Sequence, residues 1–374
     1  MKHTIVVGAL SVLLFATTVS CATAQVTVNS EEHGFTVETV ARGFSHPWGM
    51  AFLPDRRIIV TERGGRAFVL TDGQRNELTN VPPVAAGGQG GLLDVIVDPD
   101  FATTGLIYFS YAAPGSGGTA GTAIGRGRLA GNRLEDWEEV FRMEPFTTGG
   151  AHFGSRLAFL PDGTLLATIG DRGTMNRAQN GTDHAGSTIR INPDGTVPQD
   201  NPFIGDATVR DEIFAIGNRN SQGMIVHPET GDIWQSEHGP RGGDELNLIQ
   251  PGRNYGWPVI SHGADYRTGQ PIGQGTHAPG MEQPVVHWTP ALAPSGLAYY
   301  QGAAFPQWTG DLLLGGLSSQ RLLRVSIAGR DVSHQEVLLE GQIGRIRDVQ
   351  ISPEGFVYLL TDSRDAALHR LVPR

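Results

Sequence analysis

Cysteine is almost absent from this chain of 374 residues, which carries only Cys21. No intramolecular disulfide can form, so stability must come from the core, and from metal if any is bound. Positive charge is scarce as well, because 28 lysines and arginines stand against 38 acidic residues and give a formal net charge of −10. Since phosphate backbones are bound by basic surfaces, this balance argues against a nucleic-acid partner.

Long hydrophobic stretches are also missing. The longest run, residues 5–19, is too short to span a bilayer as a helix. Residues 22–24, Ala-Thr-Ala, then supply the small-x-small pattern of a signal peptidase site. This predicts a signal peptide over 1–24 and a periplasmic or secreted protein. Cys21 leaves a lipid anchor open, although Thr18 stands where lipoprotein signals usually carry leucine.

Amphipathic helical runs are not seen, which argues against a doubly wound α/β fold. No strand–GxGxxG–helix unit is present either, so NAD is not expected as a cofactor. Glycine and proline are plentiful instead, with 51 and 23 residues. The glycines follow no fixed period, so the composition indicates a turn-rich β protein rather than collagen or disorder.

Internal repeats indicate the architecture. Six units each read as an apolar strand, a turn with proline, and a second strand that alternates apolar and polar residues. Irregular spacing fits a constant blade with variable loops. The sequence therefore predicts an all-β, six-bladed β-propeller with four-stranded antiparallel blades, as one domain over 25–374, its ring closed by residues 35–42. The prolines that mark the units are Pro54, Pro99, Pro161, Pro228, Pro306 and Pro353.

Four loop segments carry reactive side chains: residues 87–95, 149–159, 214–224 and 237–247. Taken singly, each has an ordinary structural explanation. His152 could be a turn residue, Asp171 could cap a β-turn, Arg219 could form a surface ion pair, and Asp244 and Glu245 could be solvated. Their joint placement at the ends of inner strands is more specific, because those ends converge on the channel of a propeller.

Seven motifs occur in order between about 35 and 370. They are HPWGMAFLPD, GGQGGLLDV, AHFGSRLAFLPDG, EIFAIGNRNSQGM, EHGPRGGDELN, NYGWP and RIRDVQISPEG. Together they resemble the soluble aldose sugar dehydrogenases of the glucose/sorbosone dehydrogenase family, which use pyrroloquinoline quinone (PQQ). The resemblance implies a six-bladed propeller with the quinone over the channel, in agreement with the repeats.

The resemblance also implies two calcium sites. Backbone carbonyls matching Gly239 and Pro240 would hold calcium at the cofactor, and Glu245 and the carbonyl of Tyr255 would hold a second ion. Calcium prefers six to eight oxygen ligands, and turn carbonyls in a glycine- and proline-rich segment supply them without side-chain bulk.

The implied reaction is oxidation of an aldose at its C1 hydroxyl to the lactone, with electrons passed to an external acceptor such as a cytochrome, a quinone or a dye. His152 matches the base, Asp171 would orient it, and Arg219 would polarise the quinone oxygen. The implied cofactor contacts, Tyr266 being the weakest and a cofactor or substrate contact, are Gln89, Arg219, Asn220, Tyr266, Gly316, Leu317, Ser318, Arg345, Ile346 and Arg347.

Two departures from the family pattern concern cofactor affinity rather than reaction type. Some members carry an acid where this chain has Ala151, and members tend to offer a lysine in the loop matching 315–319. Two other functions remain open: a calcium-dependent hydrolase of the lactonase or organophosphatase kind, and a non-enzymatic binding propeller. The preferred sugar and the oligomeric state are not readable from the sequence.

Overall fold

The computed structural model describes residues 1, 3 and 26–374. The predicted signal peptide lies almost wholly outside these residues, as does Cys21. Within 26–374 the chain is nearly all β-structure, with one helical turn of α type, α1 (Phe101–Thr104), and three 3₁₀ turns. None of the helices described is long and apolar enough to cross a membrane.

Six antiparallel sheets form the blades. Blade 1 consists of β3 (Pro47–Phe52), β4 (Ile58–Glu62), β5 (Arg66–Thr71) and β6 (Gln74–Leu78). Blade 2 consists of β7 (Leu92–Val97), β8 (Leu106–Pro114), β9 (Ala120–Ala130) and β10 (Arg133–Arg142). Blade 3 consists of β11 (Leu157–Phe159), β12 (Leu165–Ile169), β13 (Ser187–Ile191) and β14 (Ile213–Ile216). Blade 4 consists of β15 (Ser221–Val226), β16 (Ile233–Glu237), β17 (Asp244–Ile249) and β18 (Val286–Trp288). Blade 5 consists of β19 (Pro294–Tyr299), β20 (Leu312–Gly316), β21 (Arg321–Ala328) and β22 (Asp331–Glu340). Blade 6 consists of β23 (Ile346–Ile351), β24 (Val357–Thr361), β25 (Ala366–Pro373), β2 (Gly34–Phe44) and β1 (Val26–Asn29).

The innermost strands β3, β7, β11, β15, β19 and β23 contact one another in sequence, and β23 contacts β3, so the blades form a ring. The predicted six-bladed β-propeller is confirmed. The predicted closing strand is also present: β2 pairs with β25, with Val37 opposite Leu371. A fifth strand, β1, extends blade 6 and was not anticipated. Joining the first and last parts of the chain in one sheet leaves the ring without an open seam.

All six marker prolines lie between the first and second strands of a blade, which explains why they count the blades. Alternation of apolar and polar residues is typical of strands with one exposed face, but the second strands of this ring are buried on both faces. All five residues of β4, β12, β16, β20 and β24 are buried. These strands lie in the middle of a blade whose two faces both pack on neighbouring blades, so even Gln235 and Ser236 are buried.

The hydrophobic core is divided into clusters that lie between adjacent blades. Ile59 of blade 1 packs in one cluster with Phe109 of blade 2, and Trp234 of blade 4 packs with Leu314 of blade 5. Each blade is therefore held by two neighbours, and the ring can carry variable loops at its ends without losing core contacts.

A buried charged group, which we call the channel floor, ties the inner strands together. Its members are Arg156, Asp94 and Asp348, and the Arg156 Nη1 lies 3.0 Å from Asp94 Oδ1 and 3.1 Å from Asp348 Oδ1. The Arg156 guanidinium also stacks on Trp48, 4.5 Å from the ring centroid. Blades 1, 2, 3 and 6 meet here, and the close approach depends on Gly296, whose added Cβ would lie 2.4 Å from Asp348 Oδ1.

Candidate active site

A cavity of about 180 Å³ opens above the channel floor, and we call it the channel cavity. Its wall includes five predicted cofactor contacts from different parts of the ring: Gln89, Asn220, Leu317, Arg345 and Arg347. Residues almost 260 positions apart in sequence therefore share one wall, because the ring brings the inner-strand ends of all blades to the channel.

The structure brings His152 and Asp171 into direct contact. His152 Nδ1 lies 2.6 Å from Asp171 Oδ1, and Asp171 is fully buried. Trp257 Nε1 donates to Asp171 Oδ2 at 2.8 Å, and the backbone N–H of Gly173 donates to Oδ1 at 2.7 Å. Burial alone would raise the pKa of Asp171, but the hydrogen bond and charge of His152, the charge of Arg219 and the hydrogen bond from Trp257 outweigh it and lower that pKa. A carboxylate held ionised in this way accepts from Nδ1 and leaves Nε2 as the basic nitrogen of His152.

The backbone around His152 is fixed as firmly as its ring. Residue 152 adopts a left-handed conformation with φ 51°, and its N–H donates to Gln89 Oε1 at 2.7 Å. Residue 170 packs against the backbone of His152 and has to be glycine, because a Cβ at that position would lie 2.2 Å from the His152 carbonyl oxygen. Gln89 thus positions the histidine backbone in addition to lining the cavity.

Arg219 lies beside this pair. Its carbonyl accepts from the Asp171 N–H at 2.9 Å, and its guanidinium stacks over Trp257 at 5.3 Å. Its Nη1 donates to the His238 carbonyl at 3.2 Å. The Arg219 Nε is buried and has no hydrogen-bond partner among the described residues. The neighbouring Asn220 accepts from the Gly154 N–H at 3.1 Å.

Arg345, Arg347 and Arg63 line the cavity together, and we call them the arginine cluster. All three share one acid, Asp362, at 3.5, 2.9 and 3.9 Å respectively. His46 Nδ1 is a further neighbour of this carboxylate at 3.1 Å. Burial would raise the pKa of Asp362, but the positive charges around it, led by that of Arg347, hold it well below its usual range.

The remaining predicted cofactor residues are more scattered. Leu317 accepts from Arg345 Nη1 at 3.4 Å through its carbonyl, whereas Gly316 ends strand β20 and the side chain of Ile346 is wholly in the core between blades 5 and 6. Ser318 and Tyr266 line a separate groove of about 460 Å³, which meets the channel cavity at His238 and Ala293. Tyr266 is 65% exposed.

The four predicted calcium ligands converge. Gly239, Pro240, Glu245 and Tyr255 all line one small cavity of about 10 Å³, together with Glu237. This is the space of a single water or ion. Among the described residues, those of this cavity included, no three His, Cys, Asp or Glu side chains are grouped to hold a metal, so a cation here would depend largely on carbonyl oxygens.

The electrostatics of the small cavity favour a cation. Glu245 is partly buried, and desolvation together with the neighbouring charge of Glu237 raises its pKa to about 8. Asn247 Nδ2 donates to both carboxylates, at 3.1 Å to Glu237 and 3.2 Å to Glu245, while its Oδ1 finds no partner in the described residues. Two crowded carboxylates next to the backbone of Gly239 and Pro240 are a donor set that a hard cation would satisfy.

Several residues of the site were not predicted. Trp257 orders Asp171 and supports Arg219, Trp48 and Gln222 line the cavity above the floor, and Asp362 gathers the arginine cluster. The sequence repeats contain a pattern that could have identified Asp362. Acids recur at or just beyond the end of the second strand in four units, as Glu62, Asp171, Glu237 and Asp362, and all four are buried.

Comparison with known proteins agrees with this geometry. The profile of the glucose/sorbosone dehydrogenase family matches residues 44–370. The aldose sugar dehydrogenase YliI of Escherichia coli strain K12 is 41% identical over 344 residues, covering 90% of this chain and 93% of that protein. The soluble aldose sugar dehydrogenase of Escherichia coli in its apo form superposes with a TM-score of 0.88 at 40% identity, covering 91% of this chain and all of the other. The PQQ-bound aldose sugar dehydrogenase of Streptomyces coelicolor superposes with a TM-score of 0.76 at 30% identity, covering 91% of this chain and 98% of the other. The chain therefore belongs to the glucose/sorbosone dehydrogenase family.

Proposed function

We propose that this chain oxidises the C1 hydroxyl of aldose sugars to the lactone, using PQQ and calcium, and passes the electrons to an external acceptor. The observation that carries the proposal is the His152–Asp171 pair, 2.6 Å apart, beside a cavity lined by three arginines. Relatives are named as dehydrogenases, and one is described in its PQQ-bound form. This supports oxidation over the hydrolase and binding-propeller alternatives.

The residues present fit a carboxylated quinone. The arginine cluster and its single acid, Asp362, leave a surplus of two positive charges in the wall of the cavity, although the whole chain carries −10. Arg347 Nε and Arg219 Nε are buried without partners in the described structure. Guanidinium groups bind carboxylates through paired N–H donors, so Arg345 and Arg347 would hold the carboxylates of PQQ.

Gly239 and Pro240 would present carbonyl oxygens to a calcium ion at the cofactor. Glu245 and the carbonyl of Tyr255 would hold a second ion, and all four residues line the small cavity. When bound, the quinone would supply an electron-poor centre for the hydride and calcium would supply a Lewis acid on its edge. The chain's own residues provide the proton chemistry.

His152 Nε2 would take the proton of the sugar C1 hydroxyl. Asp171 keeps Nδ1 as the donor and stabilises the imidazolium once the proton has arrived. Trp257 and Gly173 hold Asp171 in place, so the acceptor geometry is set before substrate enters. The Arg219 guanidinium lies where it would stabilise negative charge that develops on the cofactor side.

The predicted signal peptide would direct the protein to the periplasm or out of the cell, where sugar would be the substrate. The electron acceptor would then be a cytochrome, a quinone or, in an assay, a dye.

Reconstitution tests the proposal. Apo protein should show no aldose-dependent dye reduction, and should gain it only when PQQ and calcium are both added. NAD should not replace PQQ. The product should be a lactone, detectable as the aldonic acid after hydrolysis. Turnover in a preparation free of quinone and calcium would overturn the proposal, as would inactivity with both present across a panel of mono- and disaccharides.

A further inference from the structure

We infer that Arg63 is a third cofactor-binding arginine of the channel cavity, which acts with Arg345 and Arg347 on a carboxylate of the quinone. The inference rests on the proposed function, since it names a further residue of the same site.

Arg63 reaches the cavity from blade 1. It follows the last residue of β4, in the hairpin to β5, and lines the cavity with Trp48 and Gln89. Its Nη1 donates to the Gly88 carbonyl at 2.9 Å. Its Nη2 lies 3.9 Å from Asp362, which is beyond hydrogen-bonding distance. The guanidinium is therefore held in place but not saturated.

The unsatisfied part of Arg63 is informative. Its Nε is buried and has no hydrogen-bond partner in the described part of the chain, and the side chain is only 20% exposed. A buried donor without a partner costs free energy, about 1–3 kcal/mol in general. The Nη2 group also has no acid within hydrogen-bonding distance, and a carboxylate lying in the cavity that this side chain lines would accept from it.

Charge gives the class of ligand. Asp362 is the only acid in the cavity wall and is already shared with Arg345, Arg347 and His46. One carboxylate cannot neutralise three guanidiniums, so the cavity is complementary to an anion with more than one negative group. The carboxylates of PQQ are such groups.

A purely structural role for Arg63 makes a different prediction. Through its bond to the Gly88 carbonyl, Arg63 could simply hold the loop whose next residue, Gln89, accepts from the His152 N–H. Loss of that support would misplace the base and lower kcat at saturating PQQ. Loss of a carboxylate contact would instead weaken PQQ binding and leave kcat at saturating PQQ close to wild type.

The test is a titration of apo protein with PQQ at saturating calcium, followed by quenching of tryptophan fluorescence. Arg63→Gln is expected to raise the Kd for PQQ tenfold or more, and kcat at saturating PQQ should stay within about twofold. Arg63→Lys keeps the positive charge but loses the planar guanidinium, so its Kd for PQQ should lie between those of wild type and Arg63→Gln. It also serves as the second variant if Arg63→Gln folds poorly, with folding judged by thermal melting.

Arg364→Gln is the matched control. Arg364 is exposed in the turn two residues beyond Asp362 and does not line the cavity, so its removal takes the same charge from the same face. Its Kd for PQQ should stay within about threefold of wild type, as expected for a screened surface charge. Equal weakening by both variants, or an unchanged Kd in Arg63→Gln, would overturn the inference. Failure of the wild-type protein to bind PQQ would instead refute the proposed function.

Discussion

The floor and the wall of the channel are built from the same residue types but have opposite charge balance. In the floor, two aspartates surround one arginine, and Arg156, Asp94 and Asp348 are each no more than 5% exposed. In the wall, three arginines surround one acid, Asp362, and their exposure rises from 8% to 45%. The floor is closed and has a surplus of negative charge, whereas the wall is open and positive.

The difference separates a structural ion group from a binding site. Arg156 also donates to the Gln222 carbonyl and packs on Trp48, so its charge is used within the protein. Among the described residues the arginine cluster leaves the Nε atoms of Arg63 and Arg347 unpaired and the floor leaves Arg156 Nη2 unpaired, so the two groups differ in exposure and charge balance rather than in unused donors. Breaking the floor should therefore cost stability, and changing the residues around the open cavity should cost binding or catalysis.

The largest expected effect is on turnover, at His152. His152→Ala should lower kcat by roughly 10²–10⁴, the usual contribution of a positioned base, while PQQ still binds. Because residue 152 has φ 51°, His152→Asn is a useful second variant, since asparagine tolerates the left-handed conformation. His277→Ala, an exposed histidine outside the cavity, should have wild-type kcat. Wild-type turnover in His152→Ala would place the base elsewhere.

The next effect is on stability, at the floor. Arg156→Met removes the only cation between two buried carboxylates, and breaking a buried pair typically costs about 3–5 kcal/mol of unfolding free energy. Burial and the charge of Asp348 raise the pKa of Asp94 to about 6 even with Arg156 present. A carboxyl whose pKa is raised on folding destabilises the folded protein as pH rises through that range. The unfolding free energy that Arg156→Met loses relative to wild type should therefore be larger at pH 8 than at pH 5.

Urea denaturation at both pH values measures this. Arg128→Gln is the control, because Arg128 forms an exposed ion pair with Asp136 and should change stability by no more than about 0.5 kcal/mol. If Arg156→Met were as stable as wild type at pH 8, the floor would not be the structural group described above.

A third effect concerns metal-dependent stability, at Glu245. If its carboxylate binds calcium, Glu245→Gln should reduce the rise in Tm that calcium produces, since a ligand bound only by the folded state stabilises it. Apo Glu245→Gln should melt no lower than apo wild type, because the substitution removes a carboxyl whose ionisation is disfavoured by desolvation and by Glu237. Glu229→Gln, in an exposed turn of the same blade, should respond to calcium as wild type does. An unchanged calcium response in Glu245→Gln would remove it from the metal site.

The sequence predicted the repeating parts of this molecule well. Each blade needs a tight turn after its first strand, and the six prolines mark those turns regardless of loop length. The edge strand β1 was missed because its few residues, Val26–Asn29, carry no turn signal and follow the predicted leader directly. Burial of the second strands could not be predicted, because local alternation does not show that a blade is covered on both faces.

The site was predictable where one residue carries the chemistry and harder where several share it. His152, Asp171 and Arg219 lie in distinctive motifs, and the structure brings them into contact. Asp362 and Arg63 lie on different blades, and their shared cavity follows only from the ring. Composition cannot show that an arginine at the end of β4 faces an aspartate at the end of β24.

The smallest effect is a gain, and it tests whether the positive wall extends to the next groove. Ser318 lies in the loop where the family resemblance implies a lysine, and its Oγ donates to the Ala291 carbonyl at 3.3 Å. Its groove meets the channel cavity at His238 and Ala293. A lysine here would add a cation beside the cofactor, and a charge-assisted hydrogen bond contributes about 1.5–3 kcal/mol. Ser318→Lys should therefore tighten PQQ binding by roughly tenfold, with little change in sugar KM.

Ser333→Lys, on the exposed outer strand of the same blade, adds the same charge away from the groove and should leave the Kd for PQQ unchanged. Both are measured by titrating apo protein with PQQ at saturating calcium. If Ser318→Lys and wild type have equal Kd values, the groove lies outside the reach of the cofactor carboxylates, and recognition of those groups is confined to the arginine cluster.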